Sequence, residues 1–362
     1  MKRKMLISLA LSVCLLCGCS VTELEDRGFP LAIGIDTAEE GLVVSFDLPN
    51  LSEVSDGKKP GGQPASLSVE GGAYYQAQKA YENNTNKVLD YNHLKAIILN
   101  RRLFQEEGEL RQLLAWLEEE EVLARNICLF AAEDSAAQIL TLTERTETSV
   151  GNYLEQMVET QQDFRENKVA TIGSLMNQWH NQNELLLIPI LSDNGGIPSI
   201  TSYLVLDGFA YKGAISVEQA MEVFLCQGML SGMTYRLKEG VVIALEGLRP
   251  QLDISREAAA EDSDEGVLVT VHLEGNGIVK KGPDTQAMSL AQLREGLNQQ
   301  LERKLSGTAQ SLKEELGVDM ANSFYRLGGY HRELYRRFLG DYEGYQQQLS
   351  YQFVCDFQVS SE

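Results

Sequence analysis

The one side chain whose setting defines a chemistry is the thiol of Cys19, in Leu16-Cys17-Gly18-Cys19. Lys2, Arg3 and Lys4 form a basic start, Met5 to Leu16 form an apolar stretch, and small residues then lead into Cys19. The stretch is shorter than the roughly 20 apolar residues that a membrane-spanning helix needs. The order basic, apolar, small is that of a secretory leader. The arrangement resembles a lipobox, which implies that Leu16 and the small Gly18, with Cys17 between them, fit the pocket of a signal peptidase and that the Cys19 thiol is alkylated by diacylglycerol before cleavage. Residues 1–18 are thus expected to be removed, and the mature chain to begin at a lipidated Cys19. Two acyl chains anchor durably, since each buried CH₂ contributes roughly 0.8 kcal/mol. An ordinary cleaved leader or an uncleaved anchor is the competing account of the same segment.

No other set of residues assembles a reactive centre by spacing. Cys14 and Cys17 belong to the leader, which leaves Cys128, Cys226 and Cys355, far apart and odd in number. Cys128 sits in the apolar run Ile127 to Phe130, and Cys355 shares an alternating face with Tyr351, Phe353, Phe357 and Val359. Buried reduced thiols are expected for both, and one disulfide of undetermined pairing stays open. His93, His180, His272 and His331 are dispersed and form no metal-binding pair at helical spacing. Gly173-Ser174 lies in a helical pattern, unlike the strand-end serine of a hydrolase elbow. Gly275-Asn276-Gly277 follows a strand but opens no helix, so a hairpin turn is expected there and no dinucleotide site. The acidic runs Glu118 to Glu121 and Glu261 to Glu265 lack the glycine and ligand spacing of a calcium loop. A non-enzymatic protein without metal or cofactor is the expectation.

Composition narrows the partners. The chain of 362 residues carries 31 Lys+Arg against 52 Asp+Glu, a net charge of −21, and loss of the leader makes it more acidic still. Such a body is repelled by nucleic acid phosphates and by anionic headgroups, so the lipid is the expected membrane contact. No second apolar run approaches spanning length.

The elements that must carry any site read as alternating strands and helices. Leu31 to Asp36 and Leu42 to Leu48 predict an opening hairpin, and the Gly/Pro-rich stretch from Asp56 to Ala65 a loop. Ala73, Ala77 and Ala80 recur at helical spacing, as do Leu110, Leu113, Leu114 and Leu117. Strands are predicted at Leu94 to Leu99, Asn126 to Ala131 and Leu185 to Leu191, a short helix near Ser135 to Leu140, and helical segments from Tyr153 to Trp179. Tyr203 to Leu206 and Phe209 to Tyr211 flank Asp207-Gly208, a hairpin signal. Ser216 with Gln219 and Ser289 with Gln292 predict capping boxes. Between these helices, Glu239 to Leu245 and Arg249 to Ile254 read as a pair of strands. Val267, Val269, Val271 and Leu273 alternate as a half-buried strand. Leu290 to Leu316 recur every three or four residues until Gly317, predicting a helix of roughly 40 Å. The alternating strand Ser350 to Val359 could cover it.

The order of these segments resembles the Ger(x)C family, the C-subunit lipoproteins of spore nutrient-germinant receptors. The likeness runs from the lipobox through Glu23-Leu-Glu-Asp-Arg-Gly-Phe-Pro-Leu-Ala-Ile-Gly-Ile-Asp36, Gly72-Ala-Tyr-Tyr-Gln-Ala77 and His93-Leu-Lys95. It continues in the Asp207-Gly208 hairpin, Glu274-Gly275 and Leu316-Gly-Val-Asp319. The chain departs from the family pattern in Ser20-Val21, where Trp-Asp is usual, and in Tyr342 and Tyr345, where tryptophans are usual. The resemblance implies a lipoprotein on the outer face of the inner spore membrane, assembled with a membrane A subunit and a transporter-like B subunit.

The expected fold is α+β, with three mixed α/β domains whose largely antiparallel or mixed sheets are flanked by helices. The boundaries are a leader at 1–18, an N-terminal domain at 19–196, a middle domain at 197–258 and a C-terminal domain at 259–362, the last with the long amphipathic helix on a sheet. Two functions compete: a lipid-anchored germinant-receptor subunit, and a lipid-anchored solute-binding protein of an importer. The latter usually has two parallel sheets around a cleft, a layout that the hairpins argue against. Whether the body binds a small molecule itself is not legible.

Overall fold

Successive side chains of a strand point to opposite faces of its sheet, so Ala-Ile-Gly-Ile-Asp sends Ile33 and Ile35 one way and Ala32 and Gly34 the other. That division organises the first half of the protein in the computed structural model. The structure describes residues 26–39, 41–49, 65–119, 123–142, 148–160, 170–180, 184–257, 266–280 and 288–361.

The first half contains β1 (Arg27–Gly28), β2 (Ala32–Ala38), β3 (Gly41–Leu48), β4 (Ala65–Gly71), β5 (Val88–Leu89), β6 (Ala96–Asn100), β7 (Cys128–Ala132), β8 (Leu185–Asp193), β9 (Pro198–Asp207) and β10 (Ala210–Ser216). Eight of them form one sheet in the order β10-β9-β8-β7-β6-β2-β3-β4. Its centre, β2-β6-β7-β8, is parallel, and both flanks are antiparallel hairpins. β1 and β5 pair separately, in parallel.

Helices cover both faces. The larger side chains Ile33, Ile35, Ile97, Leu99 and Leu129 pack with α1 (Tyr74–Thr85), α2 (Glu107–Glu119) and α5 (Ile172–His180). Ala32, Ala96 and Ala132 face α3 (Ala136–Leu140) and α4 (Val150–Glu159), and their small size lets these helices approach closely.

The second sheet has the order β11-β12-β13-β14, from β11 (Gly232–Arg236), β12 (Val242–Glu257), β13 (Gly266–Val279) and β14 (Leu349–Ser361). It packs with α6 (Val217–Gln227), α7 (Leu290–Ser311), α8 (Ser323–Tyr330), α9 (Arg332–Arg337) and α10 (Tyr342–Gln348). Both expected capping boxes are present, at Ser216/Gln219 and Ser289/Gln292. The long helix buries Leu293, Leu297, Leu301 and Leu305, then passes through a π turn, Leu312–Leu316, to Gly317. β14 pairs in parallel with β13 and leaves an outer edge that α7 satisfies. Asn298 Oδ1 accepts from Phe357 N at 3.2 Å, and Glu302 Oε1 accepts from Cys355 N at 2.9 Å. Edge strands covered in this way are protected from pairing with other chains.

The fold is α+β with mixed sheets, as expected, but several details differ. The pair of strands read at Glu239 to Leu245 and Arg249 to Ile254 is the single strand β12, bulged between Glu246 and Arg249, and its antiparallel neighbour is β11. Gly275 and Gly277 make no hairpin turn, because β13 runs straight through them. A Cβ on Gly275 would lie 3.0 Å from both the Phe357 ring and Glu246 O, and one on Gly277 2.9 Å from Ile243. The glycines there admit neighbouring strands. Position 196/197, expected to divide two domains, falls in the turn between β8 and β9, which pair within one sheet. β12 and β13, expected on opposite sides of 258/259, are adjacent strands of the other sheet. The change of sheet therefore follows β10, and Leu185, Leu187, Tyr203 and Val205 of the first sheet share a core with α6 and α7.

Candidate functional site

Leu16, Cys17, Gly18 and Cys19 lie outside the described residues. The chain they lead into is fixed a few residues later. Arg27 Nη1 donates to Asp90 Oδ2 at 2.8 Å, and Gly28 O accepts from Asp90 N at 2.9 Å, which seats β1 on β5. Phe29 meets His93 edge to face at 5.6 Å, and Lys95 Nζ pairs with Glu155 at 2.8 Å.

The aspartates of the family-like segments turn out to be buried joints. Asp36, at the sheet end of β2, accepts from Ala136 N at 2.8 Å, Ala137 N at 2.9 Å, Ser135 Oγ at 3.1 Å and Asn100 Nδ2 at 2.9 Å. It thereby holds the start of α3, satisfying amide groups that a helix leaves unpaired there.

Asp207 was expected in a turn. The loop positions are instead Gly208 and Phe209, both at positive φ (57° and 71°), because Asp207 pairs with Ala210 across the hairpin. Phe209 holds this backbone with its side chain buried in the first core and the Arg111 guanidinium 5.0 Å from its ring centroid. Asp207 remains the last strand residue, and its carboxylate reaches α10. It accepts from Tyr342 Oη at 3.1 Å and from Gln346 Nε2 at 2.6 Å. Burial pushes its pKa up to about 6, although both hydrogen bonds act to lower it.

Asp319, fully buried, forms the neighbouring hub. It accepts from Ser323 Oγ at 2.8 Å, Phe324 N at 3.0 Å, Ala321 N at 3.2 Å and the Tyr351 hydroxyl. Ser323 Oγ also meets Tyr345 Oη at 2.6 Å. Tyr342 and Tyr345, which replace the tryptophans usual in the family pattern, are thus turned inward. Asn322 Oδ1 completes the joint by accepting from Leu185 N of β8 at 2.7 Å. Two polar seams, Asp207 with α10 and Asn322 with β8, therefore lock the first sheet to the C-terminal helices. The sequence carried no signal for this, since Asp207 before Gly208 and Asn322 before Ser323 both read as turn residues.

Two grooves flank this framework. One of about 580 Å³ lies beside the joint, between Glu184, Gln227, Met229, Asn322, Arg326 and Tyr330. The other, about 560 Å³, lies between α1 and α2, with Tyr75, Trp116, Glu109 and Glu119 on its walls. Tyr74 stacks on Trp116 with centroids 3.4 Å apart and meets Tyr91 Oη at 3.0 Å. Cys128, Cys226 and Cys355 are free thiols. Burial pushes Cys128 up to about 11 and Cys355 up to about 12, and Cys226 well above the usual thiol range. All three are held in the protonated, weakly nucleophilic form. Among the described residues, no group of three His, Cys, Asp or Glu is arranged to hold a metal ion, and no helix is long and apolar enough to cross a membrane.

Comparison with known proteins places this framework. Residues 20–193 match the family model described as the spore germination protein N-terminal domain. Residues 20–193 thus form a spore germination protein N-terminal domain, in keeping with the resemblance to the Ger(x)C family. A solved structure, the crystal structure of the GerBC protein, superposes with a TM-score of 0.59 over 90% of this chain and 96% of that one, at 16% identity. At that identity the likeness is one of fold, and it extends through both sheets, past the residues that the family model matches. No curated protein sequence matches the chain.

Proposed function

We propose that the chain is the lipid-anchored C subunit of a spore nutrient-germinant receptor. The observation that carries the reading is the match of residues 20–193 to a spore germination domain directly behind Leu16-Cys17-Gly18-Cys19. In this reading Cys19 bears diacylglycerol and holds the body on the outer face of the inner spore membrane. The body assembles with a membrane A subunit and a transporter-like B subunit, and the assembly triggers germination in response to nutrients. The protein contributes contacts and positioning instead of catalysis. Its buried aspartates and tyrosines support this, since each has a structural partner and the thiols are protonated.

Affinity purification of the tagged full chain from gently solubilised spore membranes tests the reading. Recovery of polytopic A-type and B-type subunits is the expected result. Recovery of an importer's permease and ATPase would move the protein to solute binding. Spores lacking the protein and its paralogues should lose a nutrient response while germinating through receptor-independent routes.

A further inference from the structure

We propose that the groove between α1 and α2 binds a linear polyamine, with a terminal ammonium on each of Glu109 and Glu119 and the methylene chain between them on Tyr75 and Trp116. The walls select a cation. Glu109, Gln112, Trp116 and Glu119 recur every three or four residues and so share one face of α2, and all four line the groove. Neither Glu109 nor Glu119 has a hydrogen bond or ion pair with another described residue. The only bases on the two helices, Lys79 and Arg111, are paired with Glu82 at 2.6 Å and Glu107 at 2.5 Å. α2 ends with no basic residue in its last turn, so the partial negative charge of its final carbonyls adds to that of Glu119. α1 opens its N-terminus on the same groove, and the two carboxylates outweigh its partial positive charge of roughly half an elementary charge.

Spacing and the rings between the carboxylates select the kind of cation. Ten residues separate Glu109 from Glu119, about 15 Å along the helix axis. A calcium or magnesium ion gathers its oxygens around one point, so no single ion meets both. An extended spermine holds its terminal nitrogens a similar distance apart, and the groove, about 560 Å³, has room for it. Tyr74, stacked on Trp116 with centroids 3.4 Å apart, fixes the indole in the wall. Tyr75 is 60% exposed, and Lys79 Nζ already lies 5.8 Å from its ring centroid, within the range at which an aromatic face attracts a cation. Methylenes on these rings need no hydrogen-bond partner, whereas a peptide backbone would, and Gln112 is the one side-chain amide on the walls.

The test is a calorimetric titration of spermine into the full chain in neutral detergent micelles, at physiological salt so that the general attraction of an acidic body is screened. One saturable site per chain is expected. Glu109→Gln and Glu119→Gln should each weaken it at least tenfold. Both side chains are exposed, and unchanged unfolding midpoints of the variants show that the fold is kept. Glu106→Gln removes the same charge outside the groove and should leave the affinity as it was. 1,4-Diaminobutane, too short to reach both carboxylates, should bind at least tenfold more weakly than spermine. Absence of a saturable site overturns the proposal, as does equal spermine affinity in the parent and in Glu109→Gln/Glu119→Gln, or equal affinity for the two amines. Saturation by a trilysine peptide where spermine fails would overturn it in favour of a basic segment of a partner protein.

Discussion

Tyr342 donates its hydroxyl to Asp207 across 3.1 Å, and the two residues come from different halves of the protein, the last residue of β9 and the first of α10. With Gln346 on the same carboxylate and Asn322 on Leu185, this contact makes the two halves one unit. Tyr342→Phe should leave the carboxylate buried with one partner and destabilise the protein by about 1–3 kcal/mol. Urea unfolding followed by separate probes in the two halves checks this, and Tyr342→Phe should also separate transitions that coincide in the parent.

The same carboxylate gives a pH dependence of definite sign. Folded Asp207 titrates near 6, against 3.8 for an unperturbed aspartate. The native state therefore holds the extra proton between those values, and stability rises where the native state binds more protons only as pH falls. The contribution of protonated Asp207 is full below about pH 4 and is lost by about pH 6. Relative to Asp207→Asn, the parent should lose roughly 3 kcal/mol between pH 4 and pH 7, an upper figure for a buried group. Asp47, also pushed up to about 6 by burial, is common to both proteins and cancels in the difference.

Asp47 Oδ2 accepts from Gly151 N at 2.8 Å, and a Cβ on Gly151 would lie 2.4 Å from Leu31 O. Nothing in that contact is a flexible side-chain end, so Gly151→Ala should displace α4 from the sheet. A loss of more than about 2 kcal/mol is expected, and thermal unfolding measures it.

Cys19→Ala should abolish labelling by radioactive palmitate and move the protein out of the detergent-requiring membrane fraction. The unfolding midpoint of the body should stay unchanged, because the described fold begins beyond that residue. Unaltered membrane fractionation would show that Cys19 is dispensable for anchoring.

Much of the local structure was legible, and the reason is periodicity. Leu293, Leu297, Leu301 and Leu305 announced α7, the alternation from Val267 announced β13, and Ser216 with Gln219 announced the start of α6. What periodicity could not reveal was which strands pair at a distance. The parallel neighbours β2, β6, β7 and β8 are separated by helices, and β14 joins β13 only after α7 to α10 have intervened. The division at 196/197 failed for that reason: a Gly-rich turn separates strands of one sheet as readily as two domains. Gly275 and Gly277 misled in the same way, since a glycine that makes room for a neighbouring strand is indistinguishable in sequence from one that makes a turn. Asp207 was visible as a residue, yet its partners Tyr342 and Gln346 lie 135 and 139 positions away.

The place of β2 in the sheet bears on how a tethered protein carries load. With the proposed anchor, tension drawn through Cys19 would reach β1 and then β2, which lies between β3 and β6 and is hydrogen-bonded on both sides. A pull on the lipid would have to shear two ladders at once, where an edge strand could be peeled away one bond at a time. An anchor at Cys19, as proposed, would thus pull on a strand bonded along both edges, so that strain between membrane and body would not unravel the sheet one bond at a time.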